Sequence, residues 1–138
     1  MPSTVTSPQI VLLFGRPGVG KLTIAEYLTA ETGYNLLHNH SVVDLATSLF
    51  AFGSPPFVAL RENVWHLAVE TVLKARSPGM IMTFAPEKTV SDRFIPALQK
   101  RVAAGGGVLH FIELRCSPPE LEKRLGSEPR EPSESSAT

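Results

Sequence analysis

Cysteine is almost absent from this 138-residue chain. The single one, Cys116, cannot form an internal disulfide or a cysteine-based zinc site, and a small apolar filler near a strand end accounts for it more simply than a nucleophile. Neither sign of charge is in excess. Thirteen Lys and Arg face thirteen Asp and Glu, so the formal net charge is zero and no basic surface points to nucleic acid. No basic residue precedes Arg16, unlike the charged start of a secretory signal. No apolar run approaches the ~20 residues that cross a bilayer. These absences predict an intracellular, cytoplasmic protein without a membrane or nucleic-acid partner. The length suits one domain with a real core.

What is present is concentrated in Gly15 to Thr23, which reads Gly-Arg-Pro-Gly-Val-Gly-Lys-Leu-Thr. Gly15, Gly20 and Lys21 have the Gly-x4-Gly-Lys spacing of a phosphate-binding P-loop. An apolar run, Ile10 to Phe14, precedes the loop as a buried strand. An amphipathic helix follows, with Ile24, Ala25 and Leu28 on one face and Gly33 as its stop. In that setting Gly15, Arg16, Pro17, Gly18, Val19 and Gly20 would surround a phosphate at the positive end of the helix, with every backbone N–H except the one Pro17 lacks. Lys21 would add a mobile charge. A glycine turn that merely reverses the chain is the competing reading, and the flanking strand and helix weigh against it. The position after Lys21 commonly supplies a hydroxyl to Mg²⁺; here it is Leu22, with Thr23 next, so Thr23 is the candidate for the ion, directly or through water.

Further along, Tyr34 to Leu37 reads as a short second strand, and Ser41 as the cap of a helix through Leu49. After Gly53-Ser54-Pro55-Pro56 a long helix is expected. Its apolar face would carry Phe57, Leu60, Val64, Leu67, Ala68, Thr71 and Val72, with Arg61, Glu62, His66 and Glu70 off it. Met80 to Phe84 is a third strand, and Ser91 or Asp92 opens a helix through Val102. Val108 to Leu114 is a fourth strand. Ser117 to Glu120 forms a capping box for a last helix ending near Gly126. Residues 1–8 read as a disordered lead-in, 9–126 as the domain and 127–138 as a disordered Ser, Glu and Pro-rich tail. Strands alternating with helices predict a three-layer α/β/α fold around a parallel sheet of about four strands.

Ligands in such sheets sit beyond the carboxyl ends of the strands. His38, Asn39, His40 and Asp44 follow the second strand, where an imidazole or carboxylate could serve an acceptor hydroxyl. Structural histidines and an Asp44 merely favoured by the helix dipole are the alternatives. Arg61 is a candidate clamp for an anionic substrate or else a solvated helix charge. Glu70 and Lys74 form an i,i+4 pair. No acid ends the third strand, and Glu87 comes only after Pro86. Arg124 falls at the end of the last expected helix, after the fourth strand; Arg130 is read as ordinary solvated charge.

The loop, together with Leu-His-Asn-His, Val-Val-Asp-Leu, Phe-Gly-Ser-Pro and Ala-Leu-Arg-Glu, resembles a group of P-loop kinases. These are labelled AAA-type ATPases or shikimate-kinase-like proteins and are similar to gluconate and chloramphenicol kinases. The resemblance covers about residues 9–125. It implies ATP and Mg²⁺ as cofactors and transfer of the γ-phosphoryl group to a small hydroxyl acceptor. It also implies Lys21, Asp44, His40 and Arg124 in catalysis, with His38, Asn39, His40 and Arg61 at the acceptor. It further implies a sheet ordered 2-3-1-4-5 whose fifth strand this chain lacks, which would expose the fourth as an edge open to self-association. A non-catalytic nucleotide-binding domain and an AAA-type hydrolase are the alternatives.

Overall fold

Four strands and four helices alternate in the computed structural model, which describes residues 7–15, 20–85 and 88–115. They are β1 (Gln9–Phe14), α1 (Lys21–Thr32), β2 (Asn35–Leu37), α2 (Asn39–Thr47), α3 (Pro55–Lys74), β3 (Gly79–Phe84), α4 (Phe94–Ala104) and β4 (Val108–Glu113). The sheet has the order β2-β3-β1-β4, and every neighbouring pair is parallel. Leu12 stands opposite Met82 and Phe111, and Leu37 opposite Met82, so the carboxyl ends of β1, β2 and β3 open on the same side. β4 pairs with β1 alone among the described residues. The fold class expected from the sequence is the one observed. Cys116, Arg124, Arg130, the last helix and the tail lie outside the described residues.

Side-chain alternation along the central strands sorts the core into two faces. Leu13 and Ile81 pack under Ala25 of α1 on one face. Ile10, Leu12, Met80, Met82 and Phe84 meet Trp65, Val69 and Leu73 of α3 and Phe94, Leu98 and Val102 of α4 on the other. Trp65 is the hub there, edge-on to Phe84 at 5.4 Å and tilted on Phe94 at 4.9 Å. All six residues of β3 are buried, as a strand covered on both faces requires. Gly107 lets β4 begin beside Leu73: a Cβ there would stand 2.6 Å from Leu73 Cδ2.

Several local expectations are corrected. α3 buries Phe57, Arg61, Trp65, Val69 and Leu73, a stripe at every fourth residue, while Leu67 is 62% exposed. The helix is apolar over much of its circumference, so two stripes compete in the sequence, and contact with Phe84 and Phe94 selects the one containing Trp65. Ile24 of α1 is exposed, and Ala25 is the residue that lets the helix approach the sheet. α2 starts at Asn39 with His38 in the capping position, not at Ser41, because His38 is already extended and its carbonyl accepts from Ser41 N–H at 3.1 Å. Asp44 is therefore an exposed residue in the middle of α2 rather than in its first turn. Likewise α4 begins at Phe94; Ser91 shapes the preceding turn, its Oγ accepting from Arg93 N–H at 3.1 Å.

Candidate functional site

The glycine loop joins the carboxyl end of β1 to α1. Gly20, which caps α1, has φ 89°, a left-handed conformation that glycine adopts without the steric cost of a Cβ. No described side chain caps α1, and its first turn holds no acid, which suits an incoming anion. Lys21, the first helical residue, is 4% exposed, and its Nζ donates to Gly15 O at 2.8 Å. The ammonium thus reaches back to the residue that follows β1. Leu22 and Thr23 are both exposed on that first turn. Arg16, Pro17, Gly18 and Val19 lie outside the described residues.

One strand separates β1 from β2, so with strands about 4.8 Å apart their ends lie about 10 Å from each other. A second polar cluster stands at that distance. His38 and His40 face each other through Nδ1 atoms 2.8 Å apart, with ring centroids at 4.2 Å. Asn39 is buried, and its N–H donates to Thr83 Oγ1 at 2.8 Å. Thr83 Oγ1 also lies 3.4 Å from His38 Nδ1. Thr83 is 1% exposed on the penultimate position of β3. Sequence reasoning missed it, because a β-branched residue inside a strand needs no further account. The available signal was that Thr83 holds the one hydroxyl between Met80 and Phe84.

Arg61 is neither solvated nor at the surface. It is 2% exposed, with its guanidinium carbon 4.8 Å from the Phe57 ring centroid and 5.4 Å from that of Trp65. Nη2 donates to Thr89 O at 3.0 Å, while Oε2 of the neighbouring Glu62 accepts from Ser91 N–H at 2.7 Å. Two adjacent residues of α3 therefore grip the connection between β3 and α4, which leaves the same end of the sheet. Asp44 follows His40 by four residues, one turn along α2, and is exposed. Arg124 and Glu87 lie outside the described residues.

Away from this end the polar contacts are self-contained. A groove of about 730 Å³ between the carboxyl ends of α3 and α4 is lined by Glu70, Leu73, Lys74, Arg76, Lys100 and Arg101, among others. Glu70 accepts from Arg101 at 3.1 Å and lies 3.9 Å from Lys74, and Arg76 donates to Gly105 O. The expected Glu70–Lys74 pair is present, and the closer partner is Arg101 on the next helix. Among the described residues no helix is long and apolar enough to cross a membrane.

No known family and no curated protein matches the chain in sequence. Solved structures do match it. A sugar kinase from Janibacter sp. HTCC2649 superimposes with a TM-score of 0.62 at 15% identity, over 89% of this chain and 68% of that one. A candidate kinase from Chloroflexus aurantiacus reaches 0.67 at 16% identity, over 90% and 68%. The APS kinase of Mycobacterium tuberculosis, solved in complex with AMPPNP and APS, reaches 0.61 at 16% identity, over 88% and 70%. At these identities the likeness is one of architecture. The chain has the fold of the P-loop kinases, and its glycine loop, Lys21 and His38 to His40 stand at the carboxyl ends of that fold's strands.

Proposed function

We propose that this chain binds a nucleoside triphosphate, ATP in the first instance, on residues 15–23 and transfers its γ-phosphoryl group to the hydroxyl of a small acceptor held near His38, Asn39 and His40. The observation that carries the reading is the buried Lys21 ammonium, folded back onto Gly15 O at the uncapped start of α1. A phosphate oxygen is a stronger partner for that ammonium than a neutral carbonyl. In the reaction Lys21 would hold the β- and γ-phosphates, and the amides of the loop would orient them. His40 would receive the acceptor proton, with Asp44 one turn away. Arg61 and Glu62 would act on the acceptor through the loop they hold.

The residues suit an ion carried by the phosphates rather than one held by the protein. Leu22 offers no side-chain oxygen, β3 ends in Thr83 and Phe84 with Ala85 after it, and no cluster of three ligating side chains exists among the described residues. Mg²⁺ commonly keeps several waters in such sites, and Thr23 is the described hydroxyl placed to meet one. Bound, Mg²⁺ would neutralise charge on the phosphates.

The same absence of an acidic strand end favours a second reading, a domain that binds nucleotide without turning it over. A coupled assay of ATP consumption against polyols, sugars and nucleoside monophosphates separates the two. Turnover that requires an acceptor supports the kinase. ATP binding by calorimetry with no turnover on any acceptor supports the passive domain, and acceptor-independent turnover would point to a hydrolase instead.

A further inference from the structure

We infer that the groove between the carboxyl ends of α3 and α4 is a binding site for a small phosphomonoester with an apolar body, separate from residues 15–23. The inference does not depend on the kinase reading.

Helical spacing builds the groove from two stripes. Glu70, Leu73 and Lys74 line it from α3, and Ala97, Lys100, Arg101 and Ala104 line it from α4. Both sets follow the i, i+3, i+4 pattern, so each helix turns one continuous face to the gap. The two alanines keep the gap open, because short side chains stand where longer apolar ones would fill it. Together with Leu73, which is almost fully buried, they give the groove an apolar wall. Its volume of about 730 Å³ is in the range that small-molecule sites occupy.

Charge sets the groove apart from an ordinary packing gap. Among the described residues that line it, four are cations and one is an acid, in a chain whose formal net charge is zero. Two of the cations need no ligand to explain them. Lys74 and Arg101 lie in the last turns of α3 and α4, where each helix end carries about half a negative charge. Glu70 contacts both, at 3.9 and 3.1 Å. Arg76 and Lys100 remain. Arg76 gives Nη1 to the neutral Gly105 O at 3.2 Å, which leaves its charge uncompensated. Lys100 is exposed and forms no ion pair among the described residues.

Glu70 and the two helix ends thus offset about half of the positive charge, and about two charges are left. A phosphomonoester near neutral pH carries about −1.5 to −2 and three strong acceptor oxygens. One such group matches the surplus, with the Arg76 and Lys100 donors supplying charge-assisted hydrogen bonds. The rest of the molecule would lie along Leu73, Ala97 and Ala104. A monoanion of the same shape would leave about one charge unmatched.

The test is calorimetric titration of the full chain carrying Lys21→Ala, with phenyl phosphate as the probe. Lys21→Ala weakens any competing binding on residues 15–23. Saturable binding is expected, and it should weaken about tenfold when Arg76→Gly and Lys100→Ala are added. Glycine suits position 76, where φ is 55°, and Lys100 is exposed, so both changes are compatible with the fold. Thermal unfolding of each protein checks this. Phenyl sulfate, the monoanion of the same shape, should bind more weakly than phenyl phosphate. So should glycerol 3-phosphate, which stands for phosphates with a polar body. No saturable binding to the Lys21→Ala chain would overturn the inference, as would an affinity unchanged by Arg76→Gly and Lys100→Ala. Equal affinity for the sulfate or for glycerol 3-phosphate would overturn the assigned ligand class. None of these results touches the nucleotide reading, which is tested with ATP.

Discussion

Removing the Lys21 ammonium gives the most direct measure of the phosphate site. Lys21 Nζ donates a hydrogen bond of 2.8 Å to Gly15 O while nearly excluded from water. Exchanging that neutral acceptor for a phosphate oxygen replaces a bond worth about 1 kcal/mol with a charge-assisted one worth about 1.5–3 kcal/mol. Lys21→Ala loses the second without leaving a buried charge behind. At about 1.4 kcal/mol per tenfold, the net difference of about 0.5–2 kcal/mol should lower ATP affinity by about two- to thirtyfold. Thermal stability is followed beside it, so that a loss of affinity through unfolding is told apart from loss of the ammonium. The control is Lys74→Ala, which removes the same charge from the far end of α3, where the side chain is 77% exposed. Calorimetric titration with ATP, alongside thermal unfolding of all three proteins, reads both quantities. Equal ATP affinity in Lys21→Ala and parent refutes the site. Equal losses in Lys21→Ala and Lys74→Ala refute the local argument in favour of a net-charge effect.

Thr23→Val should weaken binding of Mg·ATP more than binding of metal-free ATP, because in the proposed site the hydroxyl would meet the ion and not the phosphates; equal losses in two parallel titrations would leave Thr23 with no metal role. Burial first, and the nearby Arg101 second, hold the His66 pKa below its ordinary value of 6.5 against the opposing pull of Glu62. The unfolded chain then binds the proton more readily, so stability is complete above about pH 6.5 and falls as the pH drops below it; denaturant midpoints between pH 5 and 8 should show this slope, and His66→Gln should flatten it. Finally, β4 presents Val108 and Phe111, 41% and 39% exposed, on a strand paired with β1 alone among the described residues. Concentrated protein should self-associate in sedimentation, and Phe111→Lys should abolish it; a parent that stays monomeric at high concentration removes the edge as a contact.

The sequence makes the sheet and the strand–loop–helix order around Gly15 to Lys21 legible and leaves the contacts of Arg61 and Thr83 hidden, for physical reasons. Ile10 to Phe14 and Met80 to Phe84 are apolar on both faces, and only a strand covered on both sides tolerates that. Gly15, Gly20 and Lys21 encode backbone geometry directly, so spacing alone locates them. Arg61 is different. A guanidinium in a helix reads as surface, and its burial depends on Phe57 and Trp65 lying one turn away on either side and on Thr89 O arriving from another segment. Thr83 depends on register: it reaches Asn39 because β2 and β3 are aligned so that Leu37 stands opposite Met82. Contacts created by pairing strands far apart in the chain leave no local pattern to read.

Four polar or charged side chains are buried among the described residues: Lys21, Asn39, Arg61 and Thr83. Burying such groups costs free energy unless partners compensate, so a chain selected only to fold would keep few of them and would have no reason to gather them. Here all four lie toward one end of the sheet. Lys21 follows β1, Asn39 follows β2, Thr83 ends β3, and Arg61 holds the segment that follows β3. The opposite end, where α3 and α4 finish, carries its charges on the surface and pairs them there. Stability alone does not require this asymmetry, since apolar residues of similar volume at the four positions would pack at lower desolvation cost. It is what the proposed site would require, with a triphosphate and an acceptor held in register across β1, β3 and β2. Phosphoryl transfer depends on positioning and on placed charge more than on covalent chemistry by the protein, and a rigid parallel sheet with its polar groups locked at one end supplies both.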